Sequence, residues 1–214
     1  MKTAVVYEQA AQIPVTDLLP LLEAEFTDAP QVMLTFMLLD VVADFCKRTN
    51  ALRRRADICT LPCVPNYLLE APDETEVIAV MRIDQVHSKY CVPVYQRTVL
   101  PDAPHALPCC PHSISVDGNE VIINPPAGNT VFRVEMSVRP RANACEVDAA
   151  LREHSRTLLE GVRRDLYRQT GKPWSNVNRA TEAHTLYLQG CDNASLETML
   201  HKQRGAFRGA RRKF

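Results

Sequence analysis

No stretch of the chain constrains its fold more than Pro30 to Arg55, PQVMLTFMLLDVVADFCKRTNALRRR. Leu34, Leu38, Val41, Phe45 and Leu52 recur at the steps of one helix face. Asp40, Asp44, Lys47 and Arg54 keep the same rhythm on another face. A second apolar set (Met33, Phe36, Met37 and Val42) leaves little of the first half to face water, so the helix is expected to be covered on more than one side. Pro30 suits a first turn, and Asp28 is the candidate cap. Asp40 and Asp44 make the run too polar and too short to cross a membrane. We read it as the central core helix, ending near Arg53–Arg55, with its surplus apolar surface as a candidate contact between copies. Arg53, Arg54 and Arg55 are read as a solvated helix end favoured by the dipole, in preference to a nucleic-acid patch.

The flanks support an α+β fold. Residues 1–14 are read as a short strand or an arm. Thr16 and Asp17 offer caps for a short helix, Asp17–Phe26, which would bury Leu18, Leu22 and Phe26 with Pro20 tolerated early in it. From Ala56 to Arg139 short β-rich runs separated by Pro and Gly announce antiparallel strands. These runs are Ile58–Leu61, Tyr67–Leu69, Val77–Ile83, Val92–Val99, Ser113–Val116, Glu120–Ile123 and Thr130–Val138. SISVDGNEVII predicts a hairpin, with Asp117-Gly118 as its tight-turn pair. VFRVEMSV alternates strictly, predicting one wet face and one buried face. Leu100–Pro111 is too proline-rich for a central strand and is read as a loop. Helical period returns over Glu146–Gln169, closed by Gly171 and Pro173. Ser175 or Asn176 would cap a last helix, Asn178–Arg204, with weaker apolar positions interrupted at Gly190. The expected architecture is a four-helix body from residues 1–55 and 140–204, an inserted antiparallel β region at 56–139, and an extended basic tail at 205–214.

The formal net charge of the 214 residues is zero, so bulk electrostatics names no partner. The charge is nevertheless unevenly spread. Residues 1–45 carry Glu8, Asp17, Glu23, Glu25, Asp28, Asp40 and Asp44 against Lys2 alone. Beyond residue 200 come Lys202, Arg204, Arg208, Arg211, Arg212 and Lys213 without an acid, which points to ends with different partners. Residues 1–30 lack the pattern of a signal peptide, so synthesis in the cytosol is expected, with the cysteines reduced or metal-bound. His87 and Cys91, His105 and Cys109, and Cys59 and Cys63 stand four apart, with Cys110 and His112 nearby, but no Cys-x-x-Cys knuckle is present. No metal and no cofactor are expected. Neither a phosphate-cradling glycine loop nor a Gly-x-Ser-x-Gly elbow occurs, and Glu153-His154 lacks the His-Glu-x-x-His order, so no catalytic residue is assigned and no enzymatic activity expected. Two alternatives stay open: a small cytosolic nucleic-acid-binding or regulatory protein, with or without zinc, and a cysteine-dependent enzyme.

Short motifs in a fixed order carry a resemblance. Ala29-Pro30 is followed by Ala43-x-Phe45-Cys46-x-Arg48-Thr49, then Tyr67-x-Leu69, Val77-Ile-Ala-Val80, and Gly171-Lys-Pro-Trp-Ser-Asn176, with a basic end closed by Phe214. Over about residues 15 to 214 this order resembles the head-to-tail adaptors of short-tailed bacteriophages, also called tail tubular protein A or connector proteins. Cys63-Val-Pro-Asn66 departs from the glycine turn usual before that tyrosine, and Val177 stands where proline is expected. The Pro/Cys/His loop at 100–112 has no counterpart. The resemblance implies a structural virion protein at the head–tail junction: a ring, typically of twelve copies, beneath the portal. Its partners would be the portal protein, a tail nozzle or tail tube protein, other copies of itself, and genomic DNA passing through the lumen without sequence readout. No membrane is involved, and assembly would occur in the host cytoplasm. The residues it implies for portal binding are Arg204, Phe207, Arg208, Arg211, Arg212, Lys213 and Phe214. When free, the tail at 205–214 is expected to lack a fold of its own.

Overall fold

The computed structural model of this α+β protein describes residues 5–7, 10–61, 64–71, 74–87, 90–96, 113–124 and 130–208. The chain divides into two compact units, residues 1–9 with 53–139 and residues 10–52 with 140–214.

The β-rich unit contains two antiparallel sheets. One has five strands in the order β1 (Val5–Tyr7), β3 (Arg53–Cys59), β9 (Val131–Pro140), β5 (Thr75–His87) and β6 (Tyr90–Gln96). The other orders β4 (Asn66–Leu68), β8 (Glu120–Asn124) and β7 (Ser113–Asp117). Because β1 pairs with β3, the N-terminal strand joins this unit and not the helical one. Asp117 pairs with Glu120, so the hairpin loop is Gly118-Asn119, one residue later than the sequence pair suggested. Gly118 takes φ 57° at the first loop position, as a primed turn requires of glycine. On β9, Phe132, Val134, Met136 and Val138 are buried as the alternation predicts. Its other face is less wet than expected: Ser137 is buried, Arg133 forks onto Asp57 at 2.8 and 2.9 Å, and Glu135 accepts from Arg53 at 3.0 Å. Tyr67 and Leu69 are wholly buried, and the Tyr67 hydroxyl donates to the Val64 carbonyl at 2.8 Å while accepting from the Leu61 N–H.

The arginine triplet is therefore strand, not helix end. The helix expected to reach it, α2, covers Gln31–Thr49 and stops at Asn50, which takes the left-handed conformation at φ 51°. Buried Thr49 helps this stop, because its hydroxyl accepts from the Ala51 N–H. Along β3, Arg54 is buried, Arg53 reaches Glu135 and Arg55 is exposed. An alternating strand placement removes the continuous basic patch that a nucleic-acid reading needed.

In the helical unit, a 3-10 turn at Val15–Leu18 precedes α1 (Pro20–Glu25), so the expected first helix is broken where Pro20 opens a new first turn. Leu18, Leu22 and Phe26 are buried. Pro30 itself occupies the cap of α2 and no side chain caps it, so Asp28 does not play that part. The segment read as one helix from Glu146 divides into three. It forms β10 (Glu146–Asp148, paired with β2, Gln12–Pro14), a 3-10 turn at Ala149–His154, and α3 (Ser155–Tyr167). The Asp148 carboxylate accepts from the Ala150 N–H and fixes the break. The apolar period persisted because Val147 and Leu151 are buried in either conformation. His154 is half-buried and lies 5.0 Å ring to ring from Phe45. The last helix, α4, runs unbroken from Val177 to Arg208, with the Asn176 side chain accepting from the Arg179 N–H. Residues 205–208 thus continue a helix, and no extended tail begins at 205. Among the described residues no helix is long and apolar enough to cross a membrane.

Candidate interaction surfaces

The first half of α4 packs inside its own unit. Ala180, Ala183, Tyr187, Cys191 and Ala194 are buried at the three-, four- and seven-residue steps of one face. Four of these five are small, which lets the backbone of α4 approach α3 closely. Gly190, read from sequence as an interruption, is part of that approach: a β-carbon there would collide with the Thr157 side chain. Gly161 on α3 is its counterpart, since a β-carbon at that position would meet Val41 and the Tyr187 ring.

Tyr187 ties three helices together. Its hydroxyl donates to Asp44 on α2 at 2.9 Å, and Arg48 donates to the same carboxylate oxygen at 2.7 Å. The Arg164 guanidinium of α3 lies 4.9 Å above the tyrosine ring while forking onto Asp165. Burial works to raise the Asp44 pKa, but the hydrogen bonds from Arg48 and Tyr187 outweigh it and hold the carboxyl below its ordinary value. Burial, with the Cys191 and Asp44 side chains beside it, pushes the Tyr187 hydroxyl far up. Burial also raises the Cys191 thiol, so neither group supplies a nucleophile at neutral pH. This cluster is a structural pin.

Trp174, in the turn after α3, borders an open groove of about 440 Å³ whose other walls include Phe26, Asp28, Tyr167 and Arg179. Its indole N–H donates to Gln169 at 3.2 Å and its ring stands edge-on to Phe26 at 6.4 Å. Tyr167 donates to Glu25 at 2.6 Å, and Arg163 reaches the other Glu25 oxygen at 2.8 Å. With its one polar group engaged, Trp174 packs against Phe26 at the edge of this groove.

The exposed surface has a different character. Ala194 is the last buried side chain of α4 among the described residues, yet the helix goes on to Arg208. Leu196, Met199 and Leu200 are 58%, 57% and 54% exposed. At 100° per residue they lie opposite the buried stripe, so they face away from the unit that anchors the helix. On α2, Val32 and Phe36 are 68% and 57% exposed at a four-residue spacing. With Leu21, Val177 and Leu186, also exposed, these are the large apolar side chains among the described residues through which the unit can meet another surface.

Of the residues implied for portal binding, Arg204, Phe207 and Arg208 sit on the last turns of α4, with side chains outside the described set. Arg211, Arg212, Lys213 and Phe214 lie outside the described residues altogether. So do Cys63, His105, Cys109, Cys110 and His112, and the side chains of His87 and Cys91. Among the described residues no three His, Cys, Asp or Glu side chains converge on a metal-sized site. Cys46 and Cys191 are buried and Cys59 and Cys145 exposed, none of the four in a disulfide. The exposed α4 stripe was missed as a feature of its own. Leu196 and Leu200 fall among the weaker apolar positions of the expected last helix, although their offset from the Ala180–Ala194 face is present in the helical phase.

No protein-family model matches the chain, and no curated protein matches it. Among solved structures it is similar to a chain in the neck of an empty GTA particle computed with C6 symmetry. The identity is 14% and the TM-score 0.31, over 86% of this chain and 94% of that one.

Proposed function

We propose that the protein is a head-to-tail adaptor of a short-tailed bacteriophage: a non-enzymatic virion component that rings the DNA passage and joins the portal to the tail. The order of short motifs from Ala29-Pro30 to Lys172-Pro-Trp-Ser-Asn176 supports the family. The observation that carries the role is α4. Half of it is anchored by Tyr187 and small buried residues, and half carries exposed leucines toward the basic end of the chain. A helix built in this way presents its far end to a partner. The portal is the partner proposed for residues 205–214, and other copies complete the ring. DNA would pass through the lumen held by sequence-independent phosphate contacts alone.

Mixing the purified protein with DNA-filled heads that lack their tails tests this reading. The protein should co-sediment with the heads in stoichiometric amounts and leave them competent to accept tails. A protein that ignores heads but binds free duplex DNA tightly as a monomer, with a steep salt dependence, would be a nucleic-acid-binding regulator instead. Free in solution, the adaptor should be monomeric or weakly associated at micromolar concentration, forming its ring on the portal.

A further inference from the structure

The exposed lines on α2 and α4 match one another in order. On α2, four-residue steps give Val32, Phe36 and Asp40, all exposed. On α4 the same steps give Leu196 and Leu200, both exposed, and then residue 204, an arginine, one helical turn further on. Each line is therefore two apolar side chains followed by a charge, acidic on α2 and basic on α4. At the charged end of each line the surroundings repeat the contrast, with Asp192 and Glu197 standing exposed at the start of the α4 line. Residues 10–45 contain Asp17, Glu23, Glu25, Asp28, Asp40 and Asp44 and no Lys or Arg, while Lys202, Arg204 and Arg208 lie on the last turns of α4.

We infer that these two faces are the two sides of one contact between copies, with the far half of α4 from one molecule lying along α2 of the next. Running in the same direction, the helices bring Leu196 to Val32, Leu200 to Phe36, and position 204 to Asp40, with Met199 filling beside them. Four-residue ridges are the commonest geometry of helix packing, so lines at that spacing can interdigitate. The contact is heterologous: every copy offers both faces and uses each on a different neighbour, so copies add head to tail and close into a ring when the rotation permits. Complementary charge at the end of the line fixes direction and register more than strength. Covering these faces also removes apolar surface that a lone molecule leaves in water. The inference deepens the adaptor reading and rests on it for the ring, while the contact itself rests on the two exposed faces.

Sedimentation equilibrium of the full chain from about 1 μM to about 1 mM tests the contact, spanning weak to moderate affinities. The parent should associate with concentration. Asp40→Arg and Arg204→Asp should each weaken association at least about tenfold, because like charges then meet, and the two together should restore it. Leu200→Glu should weaken it as well, at an exposed position whose change leaves the melting curve in place. A chain that stays monomeric throughout overturns the contact, as does association indifferent to both charge changes or not restored by the pair. Head attachment lost on Leu200→Glu without any self-association would assign the face to the portal and also overturn it. Asp40→Arg, at a position with no proposed part in portal binding, separates the two readings in the head-binding assay. Normal attachment with unaltered association sinks the contact alone, whereas charge-sensitive association without attachment sinks the adaptor role alone.

Discussion

The two halves of α4 follow opposite rules. From Val177 to Ala194 the positions facing the unit are mostly small, and Gly190 marks where α4 meets Thr157. Beyond Ala194, Leu196, Met199 and Leu200 are large and turn to the opposite side of the same helix. Small residues inside and large ones outside invert the usual arrangement of a surface helix. The first half is shaped for an interior already complete within one molecule, and the second for an interior that a partner must supply. Substitutions in the two halves should therefore separate stability from assembly.

The largest effects on stability fall on the core that the first half completes. Leu38→Ala or Phe45→Ala, both wholly buried on α2, should cost about 2–5 kcal/mol in denaturant unfolding. A variant that unfolds like the parent would mean that the α2 core is not where the fold's stability lies. Next come the close approaches. Gly161→Ala and Gly190→Ala should each destabilise by about 1–3 kcal/mol, because the added methyl meets Val41 and Tyr187 in one case and Thr157 in the other. Alanine at 190 that stabilises instead, as helix propensity alone would have it, would show that α3 and α4 are not tightly apposed.

The pin between α2 and α4 should be visible through pH. The Asp44 carboxyl is held below its ordinary 3.8 in the folded state, so folding binds fewer protons there than the unfolded chain does. Its contribution is present in full above 3.8 and lost as pH falls below that value toward the folded one. The stability difference between the parent and Asp44→Asn should thus be steady near neutrality and shrink in acid. A difference independent of pH would dissociate Asp44 from the pin. The smallest stability effect belongs to the far half: Leu196→Ser and Met199→Ser should stay within about 0.5 kcal/mol of the parent while impairing assembly. Marked destabilisation there would mean that the stripe is covered within the molecule, and the contrast between the halves would fail.

Side-chain periodicity was legible where one conformation explained it. Leu34, Leu38, Val41 and Phe45 are all buried, and the alternation of β9 put Phe132, Val134, Met136 and Val138 inside. It misled where two conformations bury the same residues. Leu52 keeps the α2 rhythm although the chain has already turned at Asn50, which carried the expected helix into the arginines of β3. Val147 and Leu151 did the same for the strand and 3-10 turn before α3. Gly190 looked like a breaker because spacing alone cannot distinguish a weak helix position from a close approach. The α4 stripe lay in the sequence, but apolar spacing does not say which apolar face is already covered; the buried alanines opposite it supply that.

The most direct test lies in residues 205–214, which comprise the last helical turn of α4 and the basic residues beyond it. A chain ending at Arg204 should keep the parent's melting curve, since among the described residues the buried side chains of α4 end at Ala194, yet fail to co-sediment with DNA-filled heads. Attachment and infectivity equal to the full chain's would contradict the claim that the far end of α4 leads to the portal.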